Sequence, residues 1–226
     1  MPIRANALVV MAKAPIPGAV KTRLVPFLSP EEAAELARAL LVDQLRHLSA
    51  IDNADCYLAF SPEEAGAMMR ELAPERFELF SQKDGDLGAR MENIFTKLFT
   101  KGHRHVVLIG ADLPPVPLTY FSKAFASLSD TERCAVLGPS QDGGYYLIGL
   151  NRDQPALFDQ MTWSHDQVLT QTLARLISLD IKSRLLPKWR DIDTIDDVRC
   201  LQSTLTPMME KTAPRTFSFL RQIKRQ

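Results

Sequence analysis

The sequence has no excess of charge of either sign, because 27 basic and 27 acidic side chains balance among its 226 residues. Proteins that bind nucleic acid or anionic membranes generally carry an excess of positive charge, so we expect neither partner. No apolar run approaches the roughly 20 residues of a membrane-spanning helix. The first residues also lack the basic stretch and long apolar core of a signal peptide.

Cysteine is scarce as well. Cys56, Cys134 and Cys200 are far apart and odd in number, and their spacing is unlike that of a metal site. We interpret them as buried thiols in a reducing compartment, so the expected location is the cytoplasm.

The hydrophobic share of 46% suits a single globular domain, and we find no repeat, linker or low-complexity tract. We therefore predict one domain over residues 1–226. Its basic C-terminal tail, residues 207–226, also carries Phe217, Phe219 and Leu220, so we expect it to dock on the domain. The oligomeric state is left open, with a homodimer as one option.

Strand-like and helix-like stretches alternate along the chain, which predicts a three-layer α/β/α sandwich with a mostly parallel mixed sheet. Two Ser-Pro-Glu-Glu signals, at Ser29 and Ser61, predict helix starts, and Thr194 with Asp197 predicts the cap of a final helix that runs through Leu205. The predicted strands are Ala7–Met11, Tyr57–Phe60, Phe77–Phe80, Val106–Ile109, Ala135–Leu137, Tyr145–Leu150 and Arg184–Leu186.

The first predicted strand leads into a loop that is both stiff and cationic. Its backbone is restrained by two prolines, and ligands in such sheets lie at the carboxyl ends of the strands. A rigid cationic loop at this position is typical of a phosphate-binding site, whereas a solvated surface loop is the alternative. The residues concerned are Lys13, Pro15, Pro17, Gly18, Lys21 and Arg23.

A single carboxylate, Asp112, follows the apolar strand Val106–Ile109 and so faces the same edge of the sheet. Among phosphate-binding cations, such a carboxylate suits a Mg²⁺ or Mn²⁺ ion that bridges phosphate oxygens. The alternative is that Asp112 caps the helix that follows.

Three further segments complete the predicted site. In residues 138–150 (GPSQDGGYYLIGL), Gly143 and Gly144 allow a ligand to approach closely, and Asp142 adds a carboxylate, although a plain hairpin turn is the alternative. Residues 82–91 form a glycine-bearing entry to a helix. Residues 189–194 place two acids before a capped helix, where helix-dipole stabilisation is the alternative.

Five segments in this order resemble the bacterial glycosyltransferase-A-type, or nucleotide-diphospho-sugar transferase, family: KAPIPGAVKTRL, GDLGARM, GADLP, GPSQDGGYYLIGL and WRDIDTIDDV. The first loop and the following helix also resemble 2-phospho-L-lactate guanylyltransferases and, more distantly, molybdenum-cofactor nucleotidylyltransferases. The resemblance implies a Rossmann-like nucleotide-binding α/β sandwich.

The resemblance also implies residue roles. Lys13, Lys21 and Arg23 would meet phosphates, and the loop of Gln82, Gly88 and Arg90 would help to hold the nucleotide. From the residues themselves we add Gly18, Gly143 and Gly144 to the predicted nucleotide-binding residues. Asp112 would bind the metal and Asp193 would be a second ligand. Many sugar-nucleotide transferases carry an Asp-x-Asp pair where this chain has Asp112 alone, and Ser164-His165 stands where relatives have Gly-Thr after the tryptophan.

We therefore expect a Mg²⁺-dependent (or Mn²⁺-dependent) transferase that joins a nucleotide-activated donor to a small-molecule acceptor. The expected catalytic residues are Lys21, Asp112 and Asp142, the last to orient or deprotonate the acceptor. The donor is expected to be a sugar nucleotide. A nucleotidylyltransferase that uses GTP or CTP and releases pyrophosphate is the alternative, and a non-catalytic nucleotide-binding protein is a third possibility.

Overall fold

The structure is a computed structural model, and it describes residues 3–223. Seven strands lie within these residues: β1 (Asn6–Lys13), β2 (Ala54–Ser61), β3 (Phe77–Ser81), β4 (His105–Gly110), β5 (Cys134–Pro139), β6 (Tyr145–Leu150) and β7 (Lys182–Leu185). Eight α-helices lie within the same residues: α1 (Pro30–Leu48), α2 (Gly66–Leu72), α3 (Leu87–Lys101), α4 (Leu118–Asp130), α5 (Val168–Ser178), α6 (Ile195–Ser203), α7 (Pro207–Thr212) and α8 (Pro214–Gln222).

The seven strands form one sheet in the order β3-β2-β1-β4-β6-β5-β7. The pairs β1–β2, β2–β3, β1–β4 and β5–β7 are parallel, whereas β6 runs antiparallel to both β4 and β5. The sheet is therefore mixed but mostly parallel, as predicted.

Both faces of the sheet are covered by helices. Alternate residues of β1 enter separate cores: Val10 packs with residues of α1, α2 and α4, and Val9 packs with residues of α3 and α5. A strand that is buried on both faces needs a continuous apolar run, which is why β1 could be predicted from the sequence. The predicted three-layer sandwich is confirmed.

The order of the strands reverses between β1 and β4, because the chain moves to β2 and β3 on one side and to β6 and β5 on the other. In open α/β sheets, ligands bind in the crevice outside the carboxyl ends of the strands at such a switch point. Lys13 ends β1, and Asp112 follows β4 at this edge. The topology therefore places two of the predicted site residues at the crevice.

The capping residues in the sequence predict some helix ends correctly and others wrongly. Capping boxes form at Ser29 with Glu32 and at Thr194 with Asp197, as predicted. The cap predicted at Ser61 is wrong, because this residue pairs with Lys13 as the last residue of β2. The helix capped by Thr194 ends at Ser203 rather than Leu205, and two further helices follow it.

The C-terminal segment forms α7 and α8, and residues 224–226 of the predicted tail lie outside the described residues. The buried carboxylate of Asp43 on α1 accepts the backbone N–H groups of Arg215 and Thr216 at 3.3 and 2.7 Å. Both donors lie in the first turn of α8, where unpaired N–H groups favour an anion. Asp43 therefore anchors the start of α8 to α1.

The three cysteines are free thiols in the structure. Cys56 and Cys134 are buried as predicted, whereas Cys200 is only half-buried.

Within residues 3–223, none of the helices combines the length and apolar character that crossing a membrane requires.

Candidate functional site

A cavity of about 1010 Å³ opens at the carboxyl ends of β1 and β4 and at the amino end of the antiparallel β6. Its volume is at the upper end of the range for small-molecule sites, about 300–1,000 Å³. Seven residues that the sequence predicted for the site lie on its wall: Lys13, Lys21, Arg23, Gln82, Arg90, Asp112 and Asp193. These residues come from four separate segments of the chain, and the fold brings them together.

Residues 189–193, which precede α6, form an extended segment that crosses the ends of the strands and carries Asp193. The backbone N–H of Trp189 donates to the carbonyl oxygen of Pro139 at 3.0 Å, and that of Ile192 donates to the carbonyl oxygen of Asp112 at 2.9 Å. The Ile192 side chain is fully buried, and both flanking aspartates, Asp191 and Asp193, reach the cavity. The segment thus brings two carboxylates to the end of β4.

Lys21 lies between two carboxylates of an acidic group that consists of Asp112, Asp191 and Asp193. Its ammonium nitrogen Nζ lies 2.8 Å from Oδ1 of Asp112 and 3.0 Å from Oδ1 of Asp193. The Lys21 side chain is 2% exposed, whereas the side chains of Asp112 and Asp193 are 63% and 42% exposed. Burial alone would lower the pKa of Lys21, but the two carboxylates outweigh it, and the pKa is raised above its usual value. The ammonium group is therefore charged and held behind the carboxylates.

The backbone of Lys21 is left-handed, with φ of 49° and ψ of 35°. For a residue other than glycine this conformation is uncommon and costs about 1–3 kcal/mol, so the surrounding contacts must hold it. Lys21 was predicted to meet phosphates together with Lys13 and Arg23. Its position in the structure distinguishes it from those two cations.

Lys13, Arg23 and Arg90 form no ion pair with any residue of 3–223. Arg90 donates its Nε hydrogen to the carbonyl oxygen of Gly85 at 2.9 Å, which fixes the side chain, and within residues 3–223 its terminal nitrogens form no ion pair. All three cations line the cavity. Cations that have no carboxylate partner within the protein are available to bind the anionic groups of a ligand.

Gln82 lies where the ends of β1, β2 and β3 meet. Its side-chain Nε2 donates to the carbonyl oxygens of Ala59 and Ala12 at 2.8 and 3.3 Å. Both hydrogens of the amide are therefore directed at the protein, which fixes the side chain and leaves its oxygen as an acceptor for a ligand.

Asp191 lines the cavity too, although it was noted from the sequence only as one of two acids before a helix. Burial raises the pKa of its carboxyl to about 7, and the nearby carboxylates of Asp142 and Asp193 add to the effect. Its Oδ1 is buried and has no hydrogen-bond partner in residues 3–223. The alternation of acid, Ile192 and acid was the available signal, because in an extended segment residues two apart lie on the same side.

An apolar part of the wall was also missed. It lies between the first turn of α3, the start of β6 and the loop before α5, and it consists of Leu87, Met91, Tyr145, Met161 and Trp163. These residues carry no chemical motif, and only the fold brings them together.

Five predicted site residues do not lie on the cavity wall: Gly18, Gly88, Asp142, Gly143 and Gly144. Gly88 lies under the indole of Trp163, and a Cβ at this position would be 2.6 Å from its Nε1. Gly18 has a φ of +77°, a conformation that favours glycine, so the backbone alone accounts for a glycine at this position. Their binding roles stay predictions.

Asp142 stabilises the turn between β5 and β6. Its Oδ1 accepts the backbone N–H of Gly144 at 3.0 Å and the hydroxyl of Ser140. Its charge still reaches the cavity through its effect on the pKa of Asp191. A catalytic role for Asp142 stays a prediction.

The chemistry of the acidic group fits a divalent ion such as Mg²⁺ or Mn²⁺, because carboxylate oxygens are the ligands that these ions prefer. Asp112 and Asp193 already converge on one cation, the Lys21 ammonium. Across residues 3–223, no three His, Cys, Asp or Glu side chains are grouped closely enough to bind a metal by themselves. Mg²⁺ commonly uses one or two carboxylates and completes its shell with water and substrate phosphates, so two carboxylates suffice.

Comparison with known proteins identifies a family. Residues 44–165 match the family model described as "uncharacterized protein conserved in bacteria", DUF2064, which is more than half of the chain. No curated protein matches the sequence.

Solved structures share the fold over nearly the whole chain. A protein from Desulfovibrio desulfuricans G20, named as a nucleotide-diphospho-sugar transferase, is 32% identical with a TM-score of 0.88, and the match covers 97% of this chain and 95% of that one. A cytidylyltransferase from Leptospira borgpetersenii is 14% identical with a TM-score of 0.59, covering 99% and 98%. A manganese complex of Rv0371C from Mycobacterium tuberculosis H37Rv is 17% identical with a TM-score of 0.54, covering 89% and 100%. The fold is therefore the Rossmann-like fold of nucleotide-diphospho-sugar transferases and cytidylyltransferases.

Proposed function

The chain belongs to the DUF2064 family of bacterial proteins, and from its cavity we propose that it is a metal-dependent transferase that uses a nucleotide-activated donor. The convergence of Asp112 and Asp193 on one cation at the switch point of the sheet is the observation that carries this proposal. Unpaired cations for phosphates lie on the wall of the same cavity. We propose that residues 1–226 act as one domain, with residues 207–226 docked on it.

Asp112 and Asp193 would hold a Mg²⁺ or Mn²⁺ ion, which would neutralise charge on the phosphate oxygens of the donor. Lys13, Arg23 and Arg90 would bind the remaining phosphate charge and orient the donor. Fixed cations lose little energy in reorganisation when the leaving phosphate gains charge, which is why such groups supply much of the catalysis in phosphate chemistry. The carboxylates of Asp142 and Asp191 are the candidates for orienting or deprotonating the acceptor.

For the donor we propose a sugar nucleotide, with a nucleoside diphosphate as the leaving group. The full-length similarity to the Desulfovibrio protein supports this choice. A nucleotidylyltransferase is the second candidate, because Lys13, Arg23 and Arg90 together suit the larger charge of a triphosphate, and Asp112 is not part of an Asp-x-Asp pair.

Calorimetry at fixed Mg²⁺ with UDP, GDP, CTP, GTP and the corresponding nucleotide sugars separates these donors. We expect a nucleoside diphosphate or its sugar conjugate to bind at least as tightly as the triphosphate, and turnover to release no pyrophosphate. A preference for a triphosphate, with pyrophosphate released when an acceptor is supplied, would establish the second candidate. If Mg²⁺ strengthens the binding of none of these ligands, the result favours the third possibility, a non-catalytic nucleotide-binding protein.

The phosphate-binding role of the loop is tested by Arg23→Ala. Since Arg23 is exposed and has no ion pair within the described part of the chain, we expect the melting temperature to stay nearly unchanged. Loss of one charge-assisted contact should weaken nucleotide binding by about 1.5–3 kcal/mol, which calorimetry measures. Arg46→Ala, which removes an exposed arginine of α1 away from the cavity wall, is the matched control. Equal nucleotide affinities for the two variants would assign Arg23 to the solvated surface.

A further inference from the structure

We propose that Lys21 is an internal counter-ion that competes with the divalent metal for Asp112 and Asp193, so that metal binding releases its ammonium group into the cavity. This inference rests on the proposed function, because it takes the metal site as given. It assigns Lys21 a positioning role that changes with the metal, in place of permanent contact with phosphate.

The first support is the geometry of the two ion pairs. One nitrogen, Lys21 Nζ, contacts Oδ1 of Asp112 at 2.8 Å and Oδ1 of Asp193 at 3.0 Å. A metal that is bound by both carboxylates needs the same pair of side chains, and Mg²⁺ holds its oxygen ligands at about 2.0–2.1 Å. An ammonium group and a divalent ion at such short range repel each other strongly. The two cations therefore exclude each other.

The second support is the direction from which a metal can arrive. The Lys21 side chain is almost fully buried, whereas the two carboxylates are 63% and 42% exposed. A metal therefore meets the carboxylates from the cavity, while the ammonium group holds them from within the protein. The carboxylates can therefore bind a metal without first moving toward the solvent.

The third support is the backbone of Lys21, which has a positive φ of 49° although the residue is not glycine. Such a conformation persists where surrounding contacts impose it, and the two ion pairs are contacts of this kind. The following residues, Thr22 and Arg23, are exposed. Loss of the ion pairs would leave the loop free to adopt an ordinary backbone conformation.

The exchange has a consequence for the nucleotide. Lys13, at the end of β1, and Arg23, in the loop that carries Lys21, line the cavity without an ion pair in the described residues. A released Lys21 adds a third cation to them. Metal binding would then raise the affinity for phosphate in addition to the metal's own contact with it, and the coupling must be reciprocal.

The test measures Mn²⁺ binding in the absence of nucleotide, by calorimetry and by the paramagnetic resonance signal of free Mn²⁺. Lys21→Met removes the charge and shortens the side chain by only one atom, so we expect it to bind Mn²⁺ about tenfold more tightly than the parent protein. Lys13→Met removes a cation from the same cavity that has no carboxylate partner in residues 3–223, so it should raise the Mn²⁺ affinity clearly less than Lys21→Met does.

A second measurement uses the unaltered protein and so does not depend on the folding of a variant. An amine-reactive reagent, read by mass spectrometry, should label Lys21 slowly in metal-free protein and faster when Mn²⁺ alone is added. The labelling of Lys101, which pairs with Glu78 away from the cavity, should not change with Mn²⁺.

The outcomes separate this inference from the proposed function. If the parent binds Mn²⁺, Asp112→Asn abolishes the binding, and Lys21→Met binds no more tightly with Lys21 no more reactive, the exchange is wrong and the metal site stands. If neither the parent nor Lys21→Met binds Mn²⁺, with or without nucleotide, both proposals fail. If Lys21→Met binds Mn²⁺ where the parent does not, the exchange is supported.

Discussion

Asp112→Asn is expected to remove the effect of Mg²⁺ on nucleotide binding and to reduce turnover by about 100-fold or more, with only a small loss of stability. The substitution keeps the shape of the side chain and removes the charge that a divalent ion requires. The backbone at this position stays in place, because its carbonyl oxygen accepts the N–H of Ile192 regardless of the side chain. The side chain is 63% exposed, and Asp193 remains to pair with the buried Lys21 ammonium group, so the loss should stay below the roughly 3–5 kcal/mol of a buried charge left without a partner.

The measurement is the nucleotide affinity with and without Mg²⁺, followed by turnover once a donor is known. Asp196→Asn is the control, since Asp196 is an exposed aspartate on α6 that does not line the cavity. Asp193→Asn should weaken the response to Mg²⁺ as Asp112→Asn does. An unaltered response of Asp112→Asn to Mg²⁺ would mean that the metal binds elsewhere.

The fold could be predicted from the sequence because its main signals are local. Strands that are buried on both faces require apolar runs, and β1, β4 and β6 carry them. The capping boxes at Ser29 and Thr194 need only residues three apart. The position of Asp112 followed from a rule about the ends of strands rather than from any contact.

The role of Lys21 could not be predicted in the same way. In the sequence it stands with Lys13 and Arg23 as one of three equivalent cations. Its partner Asp193 is 172 residues away, and the contact depends on how the segment before α6 crosses the ends of the strands. A pairing at that separation leaves no periodicity or spacing in the sequence.

The glycines of the candidate site show a second limit. A glycine indicates that something approaches the backbone closely, but the sequence does not tell whether it is a ligand or the protein itself. At Gly88 the neighbour is the Trp163 indole, and at Gly143 it is the backbone of Asp166. Both glycines were assigned to nucleotide binding on the same signal that packing produces.

Gly143→Ala is expected to lower the free energy of unfolding by about 2–5 kcal/mol, a large share of the roughly 5–15 kcal/mol that stabilises a typical domain. Gly143 has a φ of +90°, and a Cβ there would overlap the carbonyl oxygen of Asp166 and lie 2.7 Å from its Cα. Because the obstacle is backbone, no side-chain rotation can relieve it. The carbonyl oxygen of Gly143 also accepts the N–H of Leu169 at 2.9 Å, so the turn and the start of α5 must move together.

Denaturant unfolding of Gly143→Ala and Gly102→Ala separates the conformational cost of a positive φ from the cost of the clash with Asp166. Gly102 has a similar φ of +111°, but a Cβ there would meet nothing within 4 Å, so its substitution should cost only the conformational penalty of about 1–2 kcal/mol. The excess at Gly143 then measures the contact with Asp166. Equal losses would show that the 162–168 segment moves aside at little cost. Because Thr162 and Trp163 of that segment line the cavity, a movement large enough to admit the methyl group should also alter ligand binding there.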